Sequence, residues 1–211
     1  YTINSADAFI HFTQLVENGN RFEGVTVYLN KNIDLNNHTI NSLKDFQGTF
    51  DGAYYGIYNA NIQGNGPFEK THNATIQNLG MYNCNIHGTG TAGGLIGTAS
   101  NTKIENCFVR LGNVTGPIMS AGIVGVASSV EIRNTFADTE LIAEQKAGLV
   151  GIANRLTLDH NYHTAEQTYI EADNLISNET DRADRINFNT WDYSAEWTLT
   201  KTWCNSSSKD L

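Results

Sequence analysis

Ala121-Gly122-Ile123-Val124-Gly125, followed by Ile132-Arg133-Asn134-Thr135, decides the fold, because both phrases recur in phase along the chain. The first phrase reads Gly93-Gly94-Leu95-Ile96-Gly97 one copy earlier and Ala147-Gly148-Leu149-Val150-Gly151 one copy later. The central glycines are Gly94, Gly122 and Gly148, so the interval between copies is nearly constant. The second phrase appears as Ile76-Gln77-Asn78-Leu79, as Ile104-Glu105-Asn106-Cys107, and in eroded form as Leu158-Asp159-His160-Asn161. Fixed-period self-similarity of this length marks a solenoid, whose repeats bury their apolar faces against one another.

The apolar positions are Ile and Val at a period of two, which favours strands over helices. A rung of about 27 residues accommodates three short strands and three corners. The expected architecture is therefore an all-β, right-handed parallel β-helix. Stacking rungs about 4.8 Å apart turns each repeat position into a ladder of like residues. Ile76, Ile104, Ile132 and Leu158 form an inward aliphatic ladder, and Asn78, Asn106 and Asn134 an amide ladder at a bend. Gln77, Glu105, Arg133 and Asp159 read as an outward row of salt bridges, individually worth little. The periodic glycines Gly94, Gly97, Gly122, Gly125, Gly148 and Gly151 are expected to supply corners with positive φ.

Outward from the repeat, Ser5 is a good N-cap and Phe9, Phe12 and Val16 lie at helical spacing. The spacing predicts a helix over 6–18 that covers the N-terminal end of the solenoid, where an open β edge would invite association. Val25-Thr26-Val27-Tyr28-Leu29 and Ile33-Asp34-Leu35 alternate as strands. Gly48-Thr49-Phe50-Asp51-Gly52 reads as a tight turn and 55–62 as a strand. Gly66-Pro67-Phe68 lies one full period before Gly94-Leu95-Ile96 and reads as a degraded first copy of the glycine phrase. From about Ala165 the repeat fades. The polar stretch 166–185 reads as a cap or loop rather than a rung, and Phe188, Trp191, Tyr193, Trp197 and Trp203 as a cluster that seals the core. The chain is read as one domain, with 1–24 as helical cap and lead-in, 25–164 as rungs and 165–211 as a C-terminal cap.

Only 17% of residues are charged and the net charge is -9, so the basic stripe of a nucleic-acid binder is missing. No apolar run is long enough to span a bilayer. The chain opens without a leader at Tyr1, as a mature product or an excised module would. Cys84, Cys107 and Cys204 are too few for a disulfide framework. Cys107 occupies the place of Leu79 and reads as a small buried apolar residue, while Cys204 reads as free or paired with another chain. No cofactor and no metal site is expected. His160 and His163, three apart in a strand, point to opposite faces and do not chelate one ion. Asp138 and Glu140 share strand parity and are the best candidate carboxylates for a glycosidase or lyase. Their neighbours Arg110 and, more loosely, Tyr82 offer no second acid, so they read as solvated surface. Sequons stand at Asn37, Asn73, Asn113, Asn178 and Asn205, close to the number this Asn- and Thr-rich composition produces by chance, and matter only in a eukaryotic source.

The glycine phrases, each followed by Ile-x-Asn, resemble the GLUG repeat. The helix with 30–35 and 48–52 resembles the lead-in to such repeats, and 188–211 the segment that often closes them. The resemblance implies a right-handed parallel β-helix, found mostly in secreted or surface-anchored proteins of bacteria and some microbial eukaryotes. Several are adhesin-like and some are non-catalytic regions of large surface peptidases. The family shares no catalytic residues. Gly66-Pro67-Phe68, the eroded repeat at 158–161 and the lack of a final Pro depart from its pattern. The expected role is a non-catalytic extracellular module for adhesion, surface display or assembly of a surface fibre. Its expected partners are further copies of itself or a cell-surface glycan or protein. A carbohydrate-active enzyme is the alternative.

Overall fold

The computed structural model describes residues 1–164 and the backbone of Glu171–Asp173, Ile176–Ser177 and Thr180–Arg182. It is a right-handed parallel β-helix of about six turns with one short helix at its N-terminus. The aliphatic ladder is in register as its spacing predicts: Ile76 pairs with Ile104, Ile104 with Ile132 and Ile132 with Leu158. All four side chains are buried. The ladder also extends two rungs toward the N-terminus, through Phe50 to Val27.

The N-terminal end is closed by the helix Ala6–Glu17. Ser5 caps it by accepting the Ala8 N–H at 3.0 Å. Phe9, Phe12, Thr13 and Val16 form its buried stripe. Phe12 meets Phe22, Phe46 and Phe50, and Phe46 and Phe50 pass the contact on to Phe68. Before the helix, Thr2–Ile3 already pairs with Tyr28 and Leu29, so the first rung begins at the chain's start.

The repeat glycines work differently from the expectation. None of Gly94, Gly97, Gly122, Gly125, Gly148 or Gly151 has a positive φ. They permit close approach of backbones instead. A Cβ on Gly94 would overlap the Gly122 carbonyl oxygen, one on Gly122 the Gly148 carbonyl oxygen, and one on Gly148 the His163 ring. A Cβ on Gly125 would sit 2.7 Å from the Gly97 carbonyl oxygen. The positive-φ corners belong to other residues, stacked in columns. One column is Asn73, Asn101, Ser129 and Arg155; another is Asn78, Asn106, Asn134 and His160. Asn tolerates the left-handed region better than other side chains, because its short amide bonds locally.

The glycine phrase also adds a side to the rung. In one rung Gln63 and Phe68 are separated only by 64–67, whereas their partners His87 and Ile96 are separated by 88–95. The added residues carry Thr91–Gly93, which pairs with Met119–Ala121 and then with Gln145–Ala147 as a separate three-stranded sheet. Asn65 closes the first edge of that sheet: its Oδ1 accepts the N–H groups of Thr89 and Gly90, both at 3.0 Å. Gly66-Pro67-Phe68 stands in phase with the later phrases, since Phe68 pairs with Ile96, but it lacks the added strand.

Three further expectations are corrected. Thr49–Asp51 is a strand between Thr26–Leu29 and Thr75–Gln77, not a turn, because Phe50 belongs to the inward ladder. Residues 55–62 are two strands, Gly56–Tyr58 and the start of Asn61–His72, broken at Asn59 with φ +52°. Within 166–185, Glu171–Asp173, Ile176–Ser177 and Thr180–Arg182 pair in parallel onto the preceding rung, so this stretch contributes a further turn. Its composition hid the turn, because parallel pairing draws on backbone groups that any polar residue carries. Phe188, Trp191, Tyr193, Trp197, Trp203 and Cys204 lie outside the described residues.

Candidate binding face

One lateral face combines aromatic, charged and amide side chains in register. Its leading column runs Asp34, Tyr58, Tyr82, Arg110, Asp138, each paired in register with the next. The Tyr58 and Tyr82 rings lie 5.5 Å apart at an interplanar angle of 42°. Burial, and next the neighbouring Tyr82 phenol, push the Tyr58 phenol up from its ordinary value. Arg110 Nε lies 3.1 Å from Asp138 Oδ2, and Asp138 Oδ1 accepts the Thr164 hydroxyl at 2.8 Å. Asp138 is therefore ion-paired through one oxygen and hydrogen-bonded through the other. Glu140, on the same side of the strand, is exposed and faces Asn113 across a register shift. The two carboxylates proposed for catalysis thus differ in kind: one is an ion-pair partner and the other a solvated side chain.

Amide ladders flank this column. Asn83 Nδ2 donates to Asn59 Oδ1 at 2.7 Å, and Asn59 Nδ2 to Asp34 Oδ1 at 3.0 Å. Beside it, Asn113 donates to Asn85 at 2.9 Å, Asn85 to Asn61 at 3.1 Å, and Asn61 to the Asn37 carbonyl at 2.8 Å. The ladder read from the sequence is present as well. Asn134 Nδ2 donates to Asn106 Oδ1 at 3.2 Å, Asn106 to Asn78 at 3.0 Å, and Asn78 to Asp51 Oδ1 at 3.0 Å. All three ladders point their NH2 groups toward the N-terminus, and two of them end on a carboxylate. A carboxylate only accepts when ionised, so Asp34 and Asp51 fix the direction of their ladders.

Two of these ladders have a sequence signature outside the main period. Tyr58-Asn59-Ala60-Asn61-Ile62 recurs as Tyr82-Asn83-Cys84-Asn85-Ile86, at a shorter interval than the glycine phrases. A search at the main period misses them, because these rungs lack the added strand.

The remaining candidates resolve plainly. The row Gln77, Glu105, Arg133, Asp159 is in register, but its charges pair mainly within rungs. Lys103 binds Glu105 at 2.6 Å and Arg133 binds Glu131, while Arg133 to Asp159 measures 3.9 Å. His160 sits at a left-handed corner with Nδ1 2.7 Å from Asp159 Oδ1, and His163 is buried against Gly148. The two histidines serve different places, and among the described residues no group of three or more His, Cys, Asp or Glu could hold a metal ion. Cys84 and Cys107 are buried free thiols. Burial above all pushes Cys84 up to about 11 and Cys107 up to about 12. Of the sequons, Asn37 and Asn73 are exposed, whereas the Asn113 Nδ2 that a glycan would occupy is committed to the ladder. Asn178 and Asn205 lie outside the described residues. Among the described residues no helix is long and apolar enough to cross a membrane.

No protein-family profile, curated protein or solved structure matches the chain.

Proposed function

We propose that the chain is a non-catalytic β-helix module of an extracellular or cell-surface protein, acting in adhesion, surface display or assembly of a surface fibre. One observation carries this reading. Among the described residues, the Asn side chains of three outward ladders bond one another along the solenoid axis, and two of the ladders end on Asp34 and Asp51. Asp34, Asp51, Asp138 and Asp159 each spend their oxygens on protein donors. Glycosidic hydrolysis needs two carboxyl groups facing each other across a substrate, at least one of them free to take or give a proton. A rod with internally satisfied faces is suited to rigid presentation and to contact over a long surface. The likeness of its repeats to the GLUG repeat supports an extracellular setting, including that of a non-catalytic region in a larger surface peptidase.

The test is a turnover assay of the full chain on a panel of acidic and neutral polysaccharides, beside retention on glycan- and cell-coated surfaces. The expected result is retention without turnover. Turnover abolished by Asp138→Asn or Glu140→Gln would overturn the non-catalytic reading in favour of a lyase or hydrolase. Light scattering at rising protein concentration separates the two structural roles: growing assemblies favour the fibre, and a persistent monomer favours display or adhesion by single modules.

A further inference from the structure

Two columns of left-handed corners run along the rod, and their side chains behave differently. Asn78, Asn106 and Asn134 spend their amides on one another and on Asp51. Asn73, Asn101, Ser129 and Arg155 hold the same backbone conformation, with φ of +50°, +46°, +56° and +57°. Yet among the described residues the side chains of this second column make no hydrogen bond or ion pair. Asn101, Ser129 and Arg155 stand on successive rungs and line one open groove with Lys103, Glu131 and Thr157. The groove has a volume of about 400 Å³, inside the roughly 300–1,000 Å³ range of small-ligand sites. Lys103 is held by Glu105 at 2.6 Å and Glu131 by Arg133, so the uncommitted charge in the groove is the exposed Arg155 guanidinium. Arg155 is also out of keeping with its column. A long side chain in the left-handed region costs more than Asn, whose short amide bonds locally. Observed strain of this kind points to a use for the side chain.

We propose that this groove binds an anionic saccharide, with its carboxylate or sulfate on the Arg155 guanidinium and its hydroxyls on Asn101, Ser129 and Thr157. The proposal deepens the surface-module reading, on which it rests for a glycan partner. A guanidinium presents two parallel N–H donors, which match a pair of carboxylate or sulfate oxygens. Amide and hydroxyl groups both donate and accept, as neighbouring sugar hydroxyls do. The Glu131 carboxylate, already bound by Arg133, has acceptor capacity left for a further sugar hydroxyl. Corner side chains on successive rungs stand about 4.8 Å apart, so a saccharide laid along the rod axis meets Asn101, Ser129 and Arg155 in turn over about 10 Å. The first column spends its polar groups on the rod itself, and the second keeps them for a ligand.

Calorimetric titration of the full chain with tetrasaccharides of galacturonate, of sulfated galactose and of neutral galactose tests the proposal. At least one anionic probe should bind, and the neutral probe should bind about tenfold more weakly or worse. The anionic probe that binds tells carboxylate from sulfate. Arg155→Gln should weaken its binding about tenfold or more, and Arg155→Lys by less, because the paired donors are lost but the charge is kept. Lys31→Gln, which removes an exposed cation elsewhere on the rod, should leave binding unchanged. Arg155→Asn gives the corner its usual residue, so it should raise the unfolding midpoint while it abolishes binding. Failure of both anionic probes to bind would overturn the proposal. Equal losses from Lys31→Gln and Arg155→Gln would overturn it too, by reducing the binding to general attraction between charges. A lower unfolding midpoint in Arg155→Asn would do the same, by giving Arg155 a structural role. Binding of the neutral probe alone would overturn the groove's assignment and keep the glycan-binding module. Turnover of a probe whose binding still depends on Arg155 would overturn the non-catalytic reading and leave the groove's assignment standing.

Discussion

The rungs before residue 88 and those after it fill the same β-helix in different ways. The early rungs are shorter and packed with rings: Phe12, Phe22, Phe46, Phe50 and Phe68 form one contact chain from the helix into the solenoid. The later rungs carry the added sheet and are packed with Ile, Val, Leu, Ala and Cys, all buried. There glycines recur in register and bring backbone against backbone on successive rungs, as Gly48 and Gly52 do singly in the early rungs. Where the added strand turns back into the rung, Gly94, Gly122 and Gly148 lie so close to the next rung's backbone or ring that a Cβ would not fit. The glycine phrase and the added strand thus occur together in the same rungs.

Deleting side-chain volume tests the contrast most strongly. Phe50→Ala in the ring-packed region should cost about 3–5 kcal/mol, and Ile104→Ala in the aliphatic region about 2–5 kcal/mol, in denaturant unfolding. If the two regions unfold as separate units, the Phe50 variant will melt the N-terminal rungs first, and amide hydrogen exchange will show it.

Adding volume probes the repeat glycines of the later rungs. Gly122→Ala forces a Cβ into the Gly148 carbonyl oxygen and should cost about 1–3 kcal/mol, as overpacking does. Gly90→Ala, whose Cβ would have its nearest neighbour at 3.9 Å, should change stability by less than about 0.5 kcal/mol. Equal effects would break the assignment of the repeat glycines to close approach.

The corners give a smaller effect. Asn106→Ala loses a left-handed residue and two ladder bonds, and the backbone strain alone should cost about 1–2 kcal/mol. Asn106→Gly keeps the conformation and loses only the ladder, so the gap between the two variants measures the value of φ +53°.

The last effect is alkaline, and it is small only near pH 9. In the fold, Cys84 and Cys107 hold their protons up to about 11 and about 12, against an ordinary 9.0. In the unfolded chain both ionise at the ordinary value, which favours unfolding. The stability they contribute is thus fully present below pH 9 and is lost as pH rises through 9 toward 11 and 12. Cys84→Ala combined with Cys107→Ala should flatten the decline of the denaturant midpoint above pH 9.

How legible the molecule was depended on whether a feature repeats. Ile76, Ile104, Ile132 and Leu158 were readable because a period fixes which residues stack, and stacking needs like with like. Asn78, Asn106 and Asn134 were readable for the same reason. Phe50 and Val27 belong to the same ladder but were hidden, because the rung length changes before Ile76. Asn59, Asn61, Asn83 and Asn85 were hidden by their shorter period. In the candidate face, Asp138 and its neighbour Arg110 were found by counting back one rung. The second partner, Thr164, lies 26 residues on, the interval that separates Ile132 from Leu158, so the same register counted forward reaches it.

By itself the sequence determined that strands stack in parallel, which residues form the aliphatic and amide ladders, and where the helix caps the rod. These follow from periodicity and local conformational preference, which each residue carries with it. Only the tertiary structure decided that the repeat glycines serve close approach and that Asn, not Gly, takes the positive φ at the corners. It also decided that both oxygens of Asp138 are engaged by Arg110 and Thr164 and that the outward aromatic column of Phe108, Phe136 and Tyr162 is buried. Each of these depends on what a neighbouring rung or a distant segment places within a few ångströms, and contact between residues far apart in the chain is not written in either one's own surroundings.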